Sequence, residues 1–210
     1  MASLTDLALG VVTLVLALRL PRGGDASGYW RAAFGWAAAT ALAGAVYHGV
    51  LVGLPVVGHV AWAITSSMVV VVVSYLLAAT VVEVLGRSRR LLFWPLRAIG
   101  LVAYAVIAAT GHASITAIMW CESVTMASVL ALWTWAALRR RPMARPMLVA
   151  IGASIAAAMF RLVPGAAALV QLDADSAYHL AQIAGMVLLF RAVATAPARA
   201  DAASARTRTA

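Results

Sequence analysis

All 16 basic residues of this 210-residue chain are arginines, and all but one fall into four clusters separated by long apolar stretches. The clusters are Arg19/Arg22/Arg31, Arg87/Arg89/Arg90/Arg97, Arg139/Arg140/Arg141/Arg145 and Arg191/Arg199/Arg206/Arg208. Between the clusters the only arginine is Arg161, which sits within an apolar segment. A run of about 20 apolar residues can cross a bilayer as a helix. Loops that stay in the cytoplasm carry excess Lys and Arg, so the clusters are expected to mark that face. Seven spans are predicted, at roughly 4–20, 30–54, 59–85, 92–110, 113–138, 147–170 and 176–195. Arginine clusters follow the first, third, fifth and seventh, which puts the N-terminus outside and the C-terminus in the cytoplasm. The opposite connections, Pro55–Gly58, Gly111–His112 and Gln171–Asp175, are short and arginine-free.

The expected fold class is all-α. A single seven-helix transmembrane bundle fills residues 1–195, and a disordered basic tail covers 196–210, where small and charged residues alternate with little to bury. The expected setting is the inner membrane of a bacterium. Hydrophobic residues make up 64% of the chain and charged ones 11%, against about 25% charged in soluble domains. No soluble stretch is long enough for a nucleic-acid-binding domain. The net charge of +9 is therefore assigned to anchoring and to contact with membrane lipids, with no nucleic-acid partner. The lack of lysine excludes a retinal Schiff base, and the single Cys121 excludes an internal disulfide. Pro164-Gly165 is expected to kink or end helix six.

Ionisable groups at membrane depth are costly and mark candidate sites. At about 1.5 Å per residue, His48 lies roughly 9 Å below the outer end of helix two and Glu122 roughly 15 Å below His112. His179 and Gln182 occupy the first turns of helix seven, Arg161 the last turns of helix six, and Asp6 the start of helix one. All four histidines fall in the outer half, which points to a polar pocket open to the non-cytoplasmic side. Tyr47 and Tyr178 each precede a histidine, and Ser66 and Ser67 face in from helix three as pocket or packing residues. Glu122 and Arg161 are close enough in depth for an ion pair. Asp175, one turn before His179, is placed to orient that ring or to start the helix. Asp6 is a possible helix-start acid or a proton-moving group. His48 and His179 share one site or make separate interhelical hydrogen bonds. His59 and His112 stand at turns.

Three motifs carry a resemblance: Thr5-Asp6 followed by Leu-Ala-Leu-Gly, Gly44-Ala-Val-Tyr-His48-Gly49, and Asp175-Ser-Ala-Tyr-His179-Leu-Ala-Gln182. Over nearly its whole length the chain resembles a bacterial family of small seven-helix membrane proteins of unassigned activity. Its layout is also similar to the superfamily of alkaline ceramidases, adiponectin/progestin-type receptors and related membrane hydrolases. That likeness implies a zinc ion held by histidines of helices two and seven, with water attacking a lipid amide or ester. His48 and His179 match two ligand positions. The serine one turn before the helix-two histidine is Gly44 here, the second helix-seven histidine is Ile183, and helix three has no aspartate. The third ligand is then sought among His112, His59, Glu122 and Asp6, with His112 the working choice.

Three functions follow as expectations. The first is a zinc-dependent lipid hydrolase, with His48, His179 and His112 as ligands and Asp6, Glu122 or Asp175 as proton-handling or orienting groups. The second is a non-catalytic protein that binds a lipid or small apolar ligand in the same pocket. The third is a proton-coupled transporter using Glu122, Arg161 and the histidines.

Overall fold

A computed structural model describes residues 1–163 and 165–195. The expected basic tail lies outside the described residues. Seven α-helices follow one another: α1 (Ala2–Arg19), α2 (Ser27–Val46), α3 (Pro55–Leu85), α4 (Trp94–Ala109), α5 (Ile115–Leu138), α6 (Ala144–Leu162) and α7 (Ala174–Ala194). The last turn of α2 runs on as a π-helical turn over Tyr47–Leu51. No strand is present among the described residues. Six helices are long and apolar enough to cross a membrane, as a membrane protein requires. The exception is α4, with 16 residues, about 24 Å of helix against a hydrocarbon layer of about 30 Å.

Local chemistry sets the ends. Pro55 opens α3, where its missing N–H costs nothing. Ser114 caps α5 by accepting from the Ala117 N–H at 3.1 Å, and Asp173 caps α7 by accepting from the Ser176 N–H at 2.8 Å. Both caps fill the orphan donors of a first turn. Helix six ends at Leu162 rather than near 170; a short 3₁₀ turn, Ala166–Val170, follows and leads into α7.

The helices pack as a ring in the order α1, α2, α3, α5, α6, α7 and back to α1, with α4 against the α3 and α5 pair on the outside. Small residues let the backbones meet. Gly10 of α1 lies against Leu42 of α2, and Gly185 of α7 against Ser154 of α6, so close that a Cβ would stand 2.8 and 2.7 Å from those side chains. The large core side chains gather toward the arginine-rich end of the bundle. Phe34, Leu77, Trp133 and Met147 are at most 1% exposed, and Trp133 donates its indole N–H to Thr80 at 3.1 Å. Toward the opposite end the packing thins to Gly, Ala, Ser and Thr, and the buried polar groups begin. The outward faces carry Leu4, Val50, Val56, Ile99, Trp120 and Leu138, all more than 60% exposed. Such a surface suits hydrocarbon better than water.

Candidate functional site

Asp6 of α1 is 4% exposed. It is the fifth residue of its helix, a full turn past the Met1 cap position, so it is no helix-start acid. Burial leaves its carboxyl without water, and its oxygens need donors or a cation from the protein. Two imidazoles supply the surroundings. The Nε2 of His179, from α7, lies 3.2 Å from Asp6 Oδ1, and the Nε2 of His48, from the π-helical turn, lies 3.8 Å from Oδ2. The two rings stand 6.4 Å apart between centroids. Asp6 Oδ2 has no hydrogen-bond partner.

Each ring is held by what lies behind it. Thr5 donates its hydroxyl hydrogen to the Ala2 carbonyl at 2.9 Å, while its oxygen lies 3.2 Å from His179 Nδ1. A hydroxyl has one hydrogen, so with that hydrogen on the closer carbonyl the imidazole is the donor and Nδ1 carries the proton. The tautomer follows from this hydrogen-bond assignment. In the neutral ring, Nε2 then turns a lone pair toward the Asp6 carboxylate. A lone pair facing a carboxylate is stable only with a proton or a metal cation between them. His48 is packed edge-on against Tyr47 at 4.9 Å, with Trp62 behind that ring at 5.4 Å. Tyr178 is packed edge-on to His179 at 5.3 Å.

Glycine makes the close approach possible. A Cβ at Gly44 would stand 3.0–3.2 Å from the three atoms of the Asp6 carboxyl group. The space beside Gly44 is thus filled by a carboxylate from another helix. The π-helical turn begins three residues later and carries His48. Such turns are rare inserts that often mark functional sites. Gly44, Thr5 and the π-helical turn are the parts that sequence reasoning missed as site elements. Their only signal was the pair of motifs Thr5-Asp6 and Gly44-x-x-x-His48.

Arg161, in the last turn of α6, pairs with Asp175 of α7. The expected Glu122–Arg161 pair is thus corrected: the shared rim of α6 and α7 brings Asp175 to the guanidinium first. Glu122, 5% exposed, instead packs against α4, where a Cβ on Gly100 would stand 2.5 Å from its Oε1. Nor does Asp175 orient His179, whose carboxylate neighbour is Asp6. Asp173, not Asp175, caps α7. Hydrogen bonds from the Ser176 N–H and hydroxyl hold the Asp173 carboxyl below its usual range. His112 is exposed, with its Nδ1 3.3 Å from the Thr110 hydroxyl, and His59 bonds to the Pro55 carbonyl. Ser66 and Ser67 spend their hydroxyls on the Trp62 and Ala63 carbonyls, and Gln182 donates to Ser154 at 3.4 Å. These are packing roles.

The donor set of two imidazoles and one carboxylate is one that zinc and other transition metals accept. Donors 2.0–2.2 Å from one tetrahedral ion stand about 3.3 Å apart; the His179 spacing meets this and the His48 spacing exceeds it. Among the described residues, no three His, Cys, Asp or Glu side chains are already arranged as ligands of one ion. The donor types and the unpartnered Asp6 oxygen suit a cation, but Asp6, His48 and His179 as they stand do not form a group that could hold a metal ion.

No curated protein and no solved structure is significantly similar to the chain, so the ceramidase-type likeness rests on the motifs alone. One family model does match, over residues 1–197, and by that coverage the chain belongs to the family of unknown function DUF6962.

Proposed function

We propose that this chain is a metal-dependent membrane hydrolase of a lipid amide or ester, with Asp6, His48 and His179 as the metal ligands. One observation carries the reading. Two histidine Nε2 atoms approach the two oxygens of one buried carboxylate, and one of those oxygens has no donor. Asp6 replaces His112 as third ligand. When bound, zinc would supply Lewis acidity, acidifying a water and polarising a carbonyl. Thr5 fixes the ring of His179, and the Tyr47 and Tyr178 rings wall the site against lipid. The arginine clusters support an orientation with this site in the non-cytoplasmic half of a bacterial inner membrane.

The test is metal analysis of full-length protein purified in neutral detergent, followed by assay of fatty-acid release from lipid esters and amides. About one zinc per chain, lost with His48→Ala plus His179→Ala, together with zinc-dependent release, is the expected result. A folded chain that takes up no transition metal would overturn the reading. The second reading, a non-catalytic protein that binds a lipid or small apolar ligand, is favoured by the absence, among the described residues, of three side chains already set as ligands. Zinc-free protein that still binds lipid at this end would establish it. Orientation is tested separately, in a Cys121→Ala background. A cysteine at Gly58 should label from outside in intact cells, and one at Arg140 should not.

A further inference from the structure

Arg161 is the single arginine outside the four clusters, and it stands beside the Asp6, His48 and His179 centre. It is joined to that centre through Asp175, one turn before His179 on α7. Asp175 engages Nη1. Among the described residues, neither Nε nor Nη2 donates a hydrogen bond to a protein acceptor. The side chain is 30% exposed, so the guanidinium is partly open to the outside of the bundle. A guanidinium is a rigid fork that binds a carboxylate along one edge and a second anion along another. The other acid nearby, Asp173, is taken by the Ser176 N–H and hydroxyl at 2.8 and 2.6 Å. Asp175 and His179 are four residues apart on one face of α7, so the guanidinium is tethered about 6 Å along the helix axis from the imidazole, on the side of the helix start.

From this the geometry points to an anion seat: the free edge of Arg161 binds the phosphate group of an amphiphile whose carbonyl lies one helical turn deeper, at Asp6, His48 and His179. This rests on the hydrolase reading for the carbonyl, and names the substrate as an anionic phosphoglyceride rather than a neutral amide. The glycerol spacer between a phosphate and its ester carbonyl is roughly one helical turn long. Asp175 acts as a positioning residue, holding the fork open edge outward. The aromatic rings of Tyr47, Trp62 and Tyr178 at this end suit the headgroup level of a bilayer.

Three probes separate the sources of the anion: dihexanoylphosphatidic acid, inorganic phosphate, and dihexanoylglycerol, which has the same carbonyls and no phosphate. Binding to the full chain in neutral detergent is measured by calorimetry, with and without zinc. The wild-type chain should prefer the phosphatidic acid to the diacylglycerol by about tenfold or more, as a charge-assisted pair implies. Arg161→Gln should erase that preference, while Asp175→Asn should weaken it only in part, because the guanidinium remains but loses its anchor. Arg90→Gln, in an arginine cluster at the other end, should leave it intact. Inorganic phosphate competing as well as the lipid would reassign the seat to a free anion and overturn the amphiphile. Equal losses in Arg161→Gln and Asp175→Asn would mean the pair is only structural, and would overturn the seat. If Arg161→Gln fails to fold, Arg161→Lys carries the test, since it keeps the charge and loses the fork: undiminished preference there would also overturn the seat. Metal content is read on the same samples. A chain that binds no zinc but keeps the Arg161-dependent preference would remove the hydrolase and leave the seat; a zinc-loaded chain without the preference would do the reverse.

Discussion

Two carboxylates are buried in this bundle to nearly the same degree, Asp6 at 4% and Glu122 at 5% exposure, and their surroundings differ in kind. Asp6 has an imidazole near each oxygen, a glycine that makes room, and a hydroxyl fixing the far side of one ring. Glu122 has the bare backbone of Gly100 on one side, and no basic side chain forms a salt bridge with it among the described residues. The nearby hydroxyl of Thr125, one turn on along α5, is buried without a partner. Burial alone therefore does not identify a site. Asp6 stands where two imidazoles could share a cation with it, whereas Glu122 meets backbone and a hydroxyl and no nitrogen ligand among the described residues.

The sharpest way to break this comparison is to remove the ligands. His48→Ala with His179→Ala should abolish metal binding, while Glu122→Gln leaves the metal content unchanged; loss of metal in both would show that Glu122 belongs to the same centre. Next in size is Asp6→Asn, expected to lower fatty-acid release about 100-fold or more at saturating zinc, since the ligand charge is gone and the histidines remain. Release at the wild-type rate would demote Asp6 to a packing residue.

The two glycines sharpen the contrast. Gly44→Ala drives a Cβ into the Asp6 carboxyl group, which is clamped between two rings, and should weaken zinc affinity about tenfold with a stability cost of about 1–3 kcal/mol. Gly100→Ala meets only the end of a flexible glutamate and should cost no more than about 1 kcal/mol, with zinc affinity unaltered. Melting curves and zinc titrations on the two variants decide it. The smallest effect concerns α7, which carries His179: Asp173→Ala should cost about 1 kcal/mol through the lost cap. Because the folded state holds Asp173 below its ordinary range, its contribution is complete above pH ~4 and fades as pH falls through the depressed value. A wild-type melting temperature that falls with acid no faster than that of Asp173→Ala would refute the cap.

Much of the fold could be read from arginine spacing, because a bilayer allows few arrangements and charges must sit at segment ends. Helix positions followed to within a few residues except where a backbone feature intervened. Helix six was read to 170 by apolar composition and expected to kink or end at Pro164-Gly165; it stops at Leu162, so the proline-glycine signal placed the boundary and composition overran it. Span counting also took α4 as full length, for hydropathy does not register the turns before Trp94. The site was legible in its residue types and not in its partners. Depth along a helix follows from counting, so His48 and His179 could be paired; which face α1 turns inward depends on its packing against α2 at Gly10 and Gly44, and so Asp6 was read as one candidate among several, with His112 preferred as third ligand. The Arg161 error has the same origin, because depth matched Glu122 while azimuth favoured Asp175.

The hydroxyl of Thr5 and the ring of His179 meet across 174 residues of sequence, and the closure of α1 onto α7 has a consequence for biosynthesis. Helices enter a membrane in the order of translation. Asp6 precedes the nearer of its two imidazoles by almost the whole bundle, so until α7 is made the buried acid has no partner there. The contact that builds the site therefore also closes the ring of helices, and the site and the closed ring form together.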